Sequence, residues 1–346
     1  MKINSDEFGR TTSDQPVTLY TCSNDNGLVL KIMNYGATIV AIKTPDRDGK
    51  MANVNLGFQK LDGYLRRHPY FGSTVGRFCN RIAKGRFSVD GQAYELATNN
   101  DPNHLHGGNV GFDQALWKAE TLRGKDHVGV RLEHFSPDGD EGYPGNLHVS
   151  ATYTINAENE LKIRFFATTD LATPVNLTNH AYWNLGGEVS GPILDHETML
   201  AADHYLPVDE TMIPTGEIRS VADTIFDFRT AKEIGEDFND LTNDPRGYDH
   251  GFVINGESDS LRLAARVRHA DSGRVMEVLT TQPAVQFYTG NFLSGEAVAG
   301  GYKQHHGFCL ETQHYPDSPN QPSFPNTILR PGETFKQTTL HRFSVE

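Results

Sequence analysis

Polar and apolar residues alternate along much of this chain with a period of two, the spacing expected of strands whose two faces differ. The alternation is clear in "LHVSATYTI", "ELKIRFFATT" and "GRFSVDGQAYEL". Turn signals at Asp48-Gly49, at Asp90-Gly91 and at residues 271–273 each separate two extended runs. Asp-Gly between alternating runs is a strong hairpin signal, because both residues tolerate the positive φ angles of a tight turn. The pattern therefore predicts a series of antiparallel hairpins.

Helical periodicity is scarce in comparison. Short polar helices are expected only near residues 60–67 and 231–238. No proline- or serine-rich linker divides the 346 residues, and the sequence shows no repeat period. We therefore predict an all-β sandwich or barrel with few short helices, organised as a single domain over residues 1–346. A strand-dense domain of this size has a sheet face wide enough to hold a polar ligand.

Composition narrows the class of protein. The formal net charge of −13 argues against nucleic acid as a partner, because binding to phosphates requires a basic surface. Cys22, Cys79 and Cys309 are odd in number and widely spaced. This pattern fits neither a disulfide framework nor a zinc site, and it indicates a reducing, cytoplasmic setting. The first residues lack the apolar segment of a signal peptide, and no run reaches the ~18 apolar residues of a membrane span.

The segment "VNLTNHAYWNL" at residues 175–185 is predicted as a strand with one apolar and one polar face. The polar face would carry Asn176, Thr178, His180, Tyr182 and Asn184. Such a face is ordinarily exposed surface, but this one has no formal charge. Amides bond paired hydroxyls in both directions, and aromatic faces cover apolar ring faces. The segment, which also contains an asparagine at position 179, is thus a candidate sugar site.

A second candidate group is Glu311, which follows three apolar residues in "GFCLETQ". A carboxyl in such a strand is expected to be partly desolvated, which raises its pKa toward the range useful for a general base. The alternative is an exposed glutamate at a strand end. Asp249 in "GYDHGFVI" and Gln286 in "QPAVQF" add an acceptor and a donor for vicinal hydroxyls.

Two basic or histidine-rich stretches allow competing interpretations. In "NHLHGG", His104 and His106 are two apart and would share a strand face, but a zinc site lacks further ligands. A structural role is the alternative for His104. In "GRFCNRIAKGRF", spacing alone favours an edge strand with solvated charges. The functional alternative is that Asn80 and Arg81 donate hydrogen bonds to a hydroxylated ligand.

Together these stretches resemble the aldose 1-epimerase (galactose mutarotase) family. The resemblance runs from "NYGATIV" at residues 34–40 to "LRPGE" at residues 329–333. It is carried in order by "GRFCNRI", "NHLHGG" with "GFDQALW", "SPDGDEGYPG", "TPVNLTNHAYWNL", "YLPVDETMIPTGE", "GYDHGFV", "TTQPAVQFYTGNF" and "GFCLETQHYPDSPNQP". Eight motifs in order over nearly the whole chain are highly specific. The family fold is a large antiparallel β-sandwich, the supersandwich, with the sugar on a concave sheet face.

The resemblance implies an isomerase that interconverts the α and β anomers of free aldohexoses such as galactose and glucose. It assigns Glu311 as general base, in the carboxylate form, and His180 as general acid, in the imidazolium form. The sugar-binding positions implied by the family motifs are Asn80, Arg81, His106, Asp249 and Gln286. The family commonly has alanine where this chain has Cys79, and both residues are small. The family chemistry requires no cofactor or metal, and a monomer or homodimer is expected.

Three alternatives stay open at this point. A hexose-6-phosphate 1-epimerase would need a basic cluster, for which Arg77, Arg81 and Arg86 are candidates. A glycoside hydrolase would use Asp249 and Glu311 as its carboxyl pair. A non-catalytic sugar-binding module on the same fold would keep the binding residues and lack the acid or the base.

Overall fold

The computed structural model describes residues 1–257 and 260–346, and within these ranges the chain is built mainly of short strands. In chain order they are β1 (Lys2–Arg10), β2 (Pro16–Ser23), β3 (Val29–Met33), β4 (Thr38–Pro45), β5 (Met51–Asn53), β6 (Thr74–Val75), β7 (Arg81–Ile82), β8 (Arg86–Val89), β9 (Gln92–Glu95), β10 (His104–Leu105), β11 (Lys118–Arg123), β12 (His127–Ser136), β13 (Leu147–Asn156), β14 (Glu160–Thr169), β15 (Thr173–Pro174), β16 (Thr178–Asn179), β17 (His196–Leu200), β18 (His204–Leu206), β19 (Arg219–Ser220), β20 (Lys232–Glu233), β21 (Asp249–Val253), β22 (Arg262–His269), β23 (Arg274–Thr280), β24 (Ala284–Tyr288), β25 (Cys309–Gln313), β26 (Ile328–Leu329) and β27 (Phe335–Val345).

Helical structure is limited to single turns. The α-helix α1 spans Leu61–Tyr64. The 3₁₀ turns are Ala83–Gly85, Phe112–Gln114, Asp140–Gly142, Phe238–Asp240, Ala297–Ala299 and Ser318–Asn320. In the part of the chain that the structure describes, none of these helices has the length and apolar character needed to cross a lipid bilayer.

Three antiparallel sheets make up the sandwich. The N-terminal meander has the order β1-β2-β3-β4-β5. The largest sheet has nine strands in the order β11-β12-β13-β14-β27-β23-β22-β17-β20, and a five-stranded sheet has the order β19-β18-β21-β24-β25. One apolar cluster draws buried side chains from all three sheets, including Ile32 of β3, Tyr153 of β13 and Phe287 of β24. The large antiparallel β-sandwich predicted from the sequence is therefore confirmed.

The hairpin signals are also confirmed. The pairs β4–β5, β8–β9 and β22–β23 are antiparallel and turn where the sequence predicted. At the β8–β9 turn, Asp90 and Gly91 both have positive φ, 53° and 82°, as a tight two-residue hairpin requires. The two-residue period is visible in burial along β14, where Leu161, Ile163 and Phe165 are buried.

Three local predictions need correction or sharpening. The helix expected near residues 60–67 is present as α1, but residues 231–237 form no helix, and only Phe238 enters the 3₁₀ turn Phe238–Asp240. Lys232–Glu233 instead pairs with β17 and becomes the edge strand of the nine-stranded sheet, because backbone pairing to the sheet outweighs the weak helical preference of a short polar segment. Residues 175–185 are not one regular strand either. Only Thr178–Asn179 pairs as a strand, and both alternating faces of the segment are largely buried.

Candidate active site

The sheet β21-β24-β25 brings three of the predicted residues together through its register. Glu311 of β25 lies directly opposite Gln286 of β24. Asp249 begins the next strand, β21, and its Oδ1 accepts a hydrogen bond of 2.7 Å from Gln286 Nε2. Gly251 is the residue opposite Gln286 on β21. Residues from three adjacent strands thus form one polar cluster on a single sheet face.

Glu311 is almost entirely buried, with 3% of its surface exposed. Its Oε1 lies 3.6 Å from Nε2 of His180, and its Oε2 has no hydrogen-bond partner within residues 1–257 and 260–346. Burial raises the pKa of this carboxyl well above its usual range; the neighbouring Asp249 adds to the rise and Arg81 opposes it. A buried acceptor in this position can receive a hydrogen bond from a bound ligand or a water molecule.

His180 is delivered to Glu311 by the segment at residues 175–185. Its backbone is fixed by two hydrogen bonds, from His180 N–H to the Ser73 carbonyl and from Gly72 N–H to the His180 carbonyl, both 2.9 Å. The imidazole stacks on the phenol rings of Tyr182 and Tyr70, with centroids 5.1 and 5.8 Å away and interplanar angles of 25°. These contacts orient the ring so that Nε2 faces the carboxyl of Glu311.

Burial alters the protonation states expected for this pair. It lowers the pKa of His180 to about 4, while it raises that of Glu311. In the substrate-free protein, burial therefore favours the uncharged form of each group, a protonated carboxyl and a neutral imidazole. The expected carboxylate–imidazolium form has the same net charge and differs only by transfer of that proton.

The other wall of the site comes from Asn80, Arg81 and His106, which are tied together by short-range bonds. Asn80 N–H donates to Nδ1 of His106 over 3.1 Å, and His106 N–H donates to the Asn80 carbonyl over 3.1 Å. Both residues have positive φ, 62° and 52°, which turns their side chains away from regular strand directions. Because Nδ1 of His106 accepts, its neutral ring carries the proton on Nε2. The rings of His106 and His180 lie 5.2 Å apart.

Arg81 is the cation of the site. It is buried, and its Nε donates to Asn100 Oδ1 over 3.1 Å. Its positive charge acts on the carboxyls of both Asp249 and Glu311, lowering the pKa of each against the effect of burial. The structure therefore brings together all seven residues named from the sequence: His180, Glu311, Asn80, Arg81, His106, Asp249 and Gln286.

Two sets of possible metal ligands occur in the described ranges, but their hydrogen bonds disfavour a metal. One is His106, His180 and Glu311, and the other is Asp195, His196 and His269. In each set one imidazole already accepts a backbone N–H. Asn80 N–H donates to Nδ1 of His106, and Leu185 N–H donates to Nε2 of His196 over 3.0 Å. The other nitrogen of that ring carries the proton of the neutral imidazole. A metal could bind there only after this proton is lost, which would leave an imidazolate, a form that is costly to make.

The three asparagines flanking His180 support the backbone around the site. Asn176 Nδ2 donates to the His314 carbonyl, and its Oδ1 accepts from His314 N–H. Asn179 Nδ2 donates to the Gly72 carbonyl over 2.7 Å. Asn184 Nδ2 donates to the carbonyls of Gly191 and His306, both at 2.9 Å. Their amides are thus engaged in bracing the segment.

His104 and Arg77 are structural residues. His104 Nδ1–H donates to the Ala97 carbonyl over 2.8 Å, and Nε2 accepts from the Tyr143 hydroxyl over 2.7 Å. His104 and His106 do not share a strand face, because the positive φ of His106 ends β10. The predicted edge strand with solvated charges is wrong at Arg77, because only 2% of the surface of this residue is exposed. Its guanidinium donates to the carbonyls and hydroxyls of Ser136, Pro137, Pro144, Gly145 and Thr173.

Two contacting groups were not predicted from the sequence. Tyr70 touches both imidazoles of the site, with its ring centroid 4.6 Å from that of His106. It lies in a loop at a φ of 60°, which no periodicity reveals. Cys309 Sγ lies 3.6 Å from Nδ1 of His180. Its position two residues before Glu311 was a usable signal, since residues i and i+2 of a strand share a face.

A cavity of about 1010 Å³ lies elsewhere, against the strands β11–β14 and β27. It is lined by basic and aromatic side chains, among them Arg131, Arg164 and Phe166. Its lining includes none of the seven candidate residues. Cavity volume and the candidate residues therefore mark different places, and the candidate site is distinguished by its buried carboxyl–imidazole pair.

Comparison with known proteins agrees with this fold and site. The sequence model of the family described as Aldose 1-epimerase matches residues 18–342. Galactose mutarotase from Homo sapiens is 51% identical over 321 residues, covering 92% of each chain. Aldose 1-epimerase from Escherichia coli (strain K12) is 39% identical over 338 residues, covering 96% of each. The crystal structure of galactose 1-epimerase from Lactobacillus acidophilus NCFM superposes with a TM-score of 0.88 at 32% identity, covering 99% of both chains.

The antiparallel sandwich, with its buried pair of a carboxyl and an imidazole, thus defines a galactose mutarotase-like protein. On the family match and the relatives above, the chain belongs to the aldose 1-epimerase family.

Proposed function

We propose that this protein is an aldose 1-epimerase that interconverts the α and β anomers of a free aldohexose. The observation that carries the proposal is the buried pair formed by Glu311 and His180, with Oε1 and Nε2 3.6 Å apart. Two acceptors beside it, Glu311 Oε2 and Gln286 Oε1, have no hydrogen-bond partner among the residues that the structure describes. Sugar hydroxyls are donors of the kind that these oxygens lack.

The reaction begins when the proton of the pair moves from Glu311 to Nε2 of His180. Arg81 favours this form, because its charge stabilises the carboxylate. Glu311 then takes the proton from the O1 hydroxyl while His180 Nε2–H protonates the ring oxygen, and the C1–O5 bond breaks. Rotation about C1–C2 presents the other face of the aldehyde. Closure returns the proton from the carboxyl to O1 and takes the ring-oxygen proton back to Nε2.

Ring opening converts the charged pair into the neutral pair that burial favours. Desolvation of the site therefore favours proton transfer from the imidazolium to the ring oxygen, because this step removes the two separated charges. The step transfers protons only, so it needs neither a redox group nor a carbanion-stabilising cofactor. We therefore assign the general base to Glu311 and the general acid to His180.

The remaining polar groups are proposed to hold the sugar. Asn80, Arg81 and His106 offer N–H donors on one wall, with the His106 proton on Nε2. Asp249 and Gln286 offer a carboxyl and an amide on the other wall. Alternating donors and acceptors of this kind match the vicinal hydroxyls of a pyranose. The preferred sugar depends on single hydroxyl contacts, for which galactose and glucose differ at C4.

The alternatives are less well supported. Of the arginines considered for a phosphate, Arg77 is engaged by backbone carbonyls and Arg86 pairs with Glu95 at the surface, which leaves Arg81 alone near the site. A glycoside hydrolase based on Asp249 and Glu311 would leave His180 without a task, although it faces Glu311. A sugar-binding module needs no such acid–base pair.

Polarimetry on freshly dissolved α-D-galactose, α-D-glucose and glucose 6-phosphate tests the proposal. The protein should accelerate the approach to the anomeric equilibrium for at least one free sugar and act much less well on the phosphate. A rate equal to the spontaneous one for all substrates would refute the proposal. Efficient action on glucose 6-phosphate alone would replace it by the phosphorylated-sugar alternative.

Further expectations accompany this function. A single domain over residues 1–346 is supported by the apolar cluster that all three large sheets share. A monomer or homodimer stays a prediction, which size-exclusion chromatography can test. A cytoplasmic location also stays a prediction, and cell fractionation can test it. The small sugar expected as substrate is tested by the polarimetry described above.

A further inference from the structure

Cys309 occupies a distinctive position beside the proposed acid. It begins β25, two residues before Glu311, so the two side chains project from the same strand face. Its Sγ lies 3.6 Å from Nδ1 of His180, and Glu311 Oε1 lies 3.6 Å from Nε2. One imidazole is thus held at both nitrogens by alternate residues of a single strand. Both Cys309 and His180 are buried, so the thiol is the partner that the fold supplies to Nδ1.

We propose that Cys309 is a positioning residue for His180. Its sulfur accepts a hydrogen bond from Nδ1–H and so keeps Nε2 as the nitrogen that exchanges a proton with Glu311 and the sugar. The inference rests on the acid role proposed for His180, and it concerns which nitrogen performs that role.

The tautomer matters because a neutral imidazole carries only one proton. With that proton on Nε2, the nitrogen facing Glu311 has no lone pair, and the carboxyl proton cannot be shared. With the proton on Nδ1, Nε2 keeps a lone pair with which it can accept the proton of the Glu311 carboxyl once the two groups approach from their 3.6 Å separation. The same tautomer remains after the imidazolium has given its Nε2 proton to the ring oxygen. Every step of the proposed cycle therefore keeps a proton on Nδ1.

A thiol suits this position better than a carboxylate. Burial raises the pKa of the Cys309 thiol well above its usual range, and Glu311 and Asp249 add to the rise, so the sulfur stays uncharged. A neutral sulfur is a weak acceptor that sets the direction of Nδ1–H. A carboxylate there would hold the imidazolium proton by its charge and weaken the acid. Besides Cys309, the titratable side chains that face the His180 imidazole in the described residues include Glu311, Tyr70, Tyr182, His106 and His68.

Three cysteine variants separate positioning from packing in the anomer-interconversion assay. Cys309→Ala removes the acceptor and should lower kcat about three- to tenfold, the effect of one ordinary hydrogen bond, with KM nearly unchanged. Cys309→Ser restores a neutral acceptor and should recover most of that loss. Cys22→Ala, which removes an equally buried thiol of the core, should match the wild-type protein. Equal kcat for Cys309→Ala and wild type would overturn the proposal.

The tautomer itself can be observed independently of catalysis. In ¹⁵N-histidine-labelled, substrate-free protein at neutral pH, long-range ¹H–¹⁵N spectra distinguish Nδ1–H from Nε2–H, and a His180→Asn sample assigns the signal. We expect Nδ1–H at His180 in the wild type and a shift toward Nε2–H in Cys309→Ala. Nε2–H in the wild type would overturn the proposal even if Cys309→Ala fails to fold. If the wild-type protein shows no mutarotase activity, the proposed function fails while this measurement still decides the role of Cys309.

Discussion

Replacing the Glu311 carboxyl by an amide tests the proposed chemistry most directly. Glu311→Gln keeps the size and shape of the side chain but removes its ability to take a proton from O1. A positioned general base typically contributes about 10²–10⁴-fold to the rate, so kcat should fall by about that factor. KM should change by less than about threefold, because Arg81, Asp249 and Gln286 retain their contacts.

The same variant should fold at least as stably as the wild type. Burial and Asp249 raise the pKa of Glu311 in the folded protein. When the pKa of a carboxyl is higher in the folded than in the unfolded protein, the free energy of unfolding decreases as the pH rises above the unfolded pKa of about 4.3. The reason is that the unfolded chain ionises more readily than the folded one. An amide has no such penalty. We therefore expect the variant to be more stable than the wild type at pH 7, with the difference shrinking toward zero near pH 4.

The assay combines polarimetry on α-D-galactose and α-D-glucose with thermal unfolding at pH 7. Glu158→Gln, at an exposed turn position, makes the same chemical change away from the site and should leave kcat and Tm unchanged. Full kcat in Glu311→Gln would remove Glu311 from the role of base. Loss of kcat accompanied by a lower Tm would show that the carboxyl serves the fold instead.

Three further predictions follow from other parts of the structure. His180→Asn should lower kcat far more than it raises KM. In the wild type, kcat/KM should fall at acid pH with an apparent pKa near the value of about 4 that burial gives His180. A fall centred at pH 6.5 would contradict this buried environment. Arg77→Met leaves several buried carbonyls without donors and should cost about 3–5 kcal/mol in urea unfolding, whereas the exposed Arg86→Met should stay within about 0.5 kcal/mol. Burial lowers the pKa of His341 to about 4, so the unfolded chain binds more protons and the free energy of unfolding falls as the pH drops from 6.5 to 4. Between pH 7 and 5, the free energy of unfolding of His341→Phe should therefore fall by about 2 kcal/mol less than that of the wild type. An equal fall in both proteins would refute the assignment.

Much of the fold could be predicted from local pattern. The two-residue period of β13 and β14 and the turn at Asp90-Gly91 follow from strand geometry and turn chemistry, which act between near neighbours. Residues 231–238 show the limit of that reasoning. Their local preference is weak, and the open edge at β17 decided their conformation.

The candidate site was named in advance because its residue types and motif order resemble a known family. Spacing alone favoured solvated charges around Arg77 and left the asparagines beside His180 without a defined role. The structure shows Arg77 buried against carbonyls, and it shows the amides of Asn176 and Asn184 bonded to the carbonyls of His314 and His306. Those partners come from distant parts of the chain, so no local pattern contains them.

The protonation of the acid–base pair depends entirely on tertiary structure. The identities of Glu311 and His180 provide a carboxyl and an imidazole, each able to exchange a proton and each with an ordinary pKa in the unfolded chain. Their burial, their 3.6 Å separation and the sulfur at Nδ1 arise when β25 packs beside residues 175–185. Desolvation and hydrogen bonding act through space, and they set which atom holds the proton. The sequence thus determines which groups are present, and the packing of the sheets determines their charge and direction.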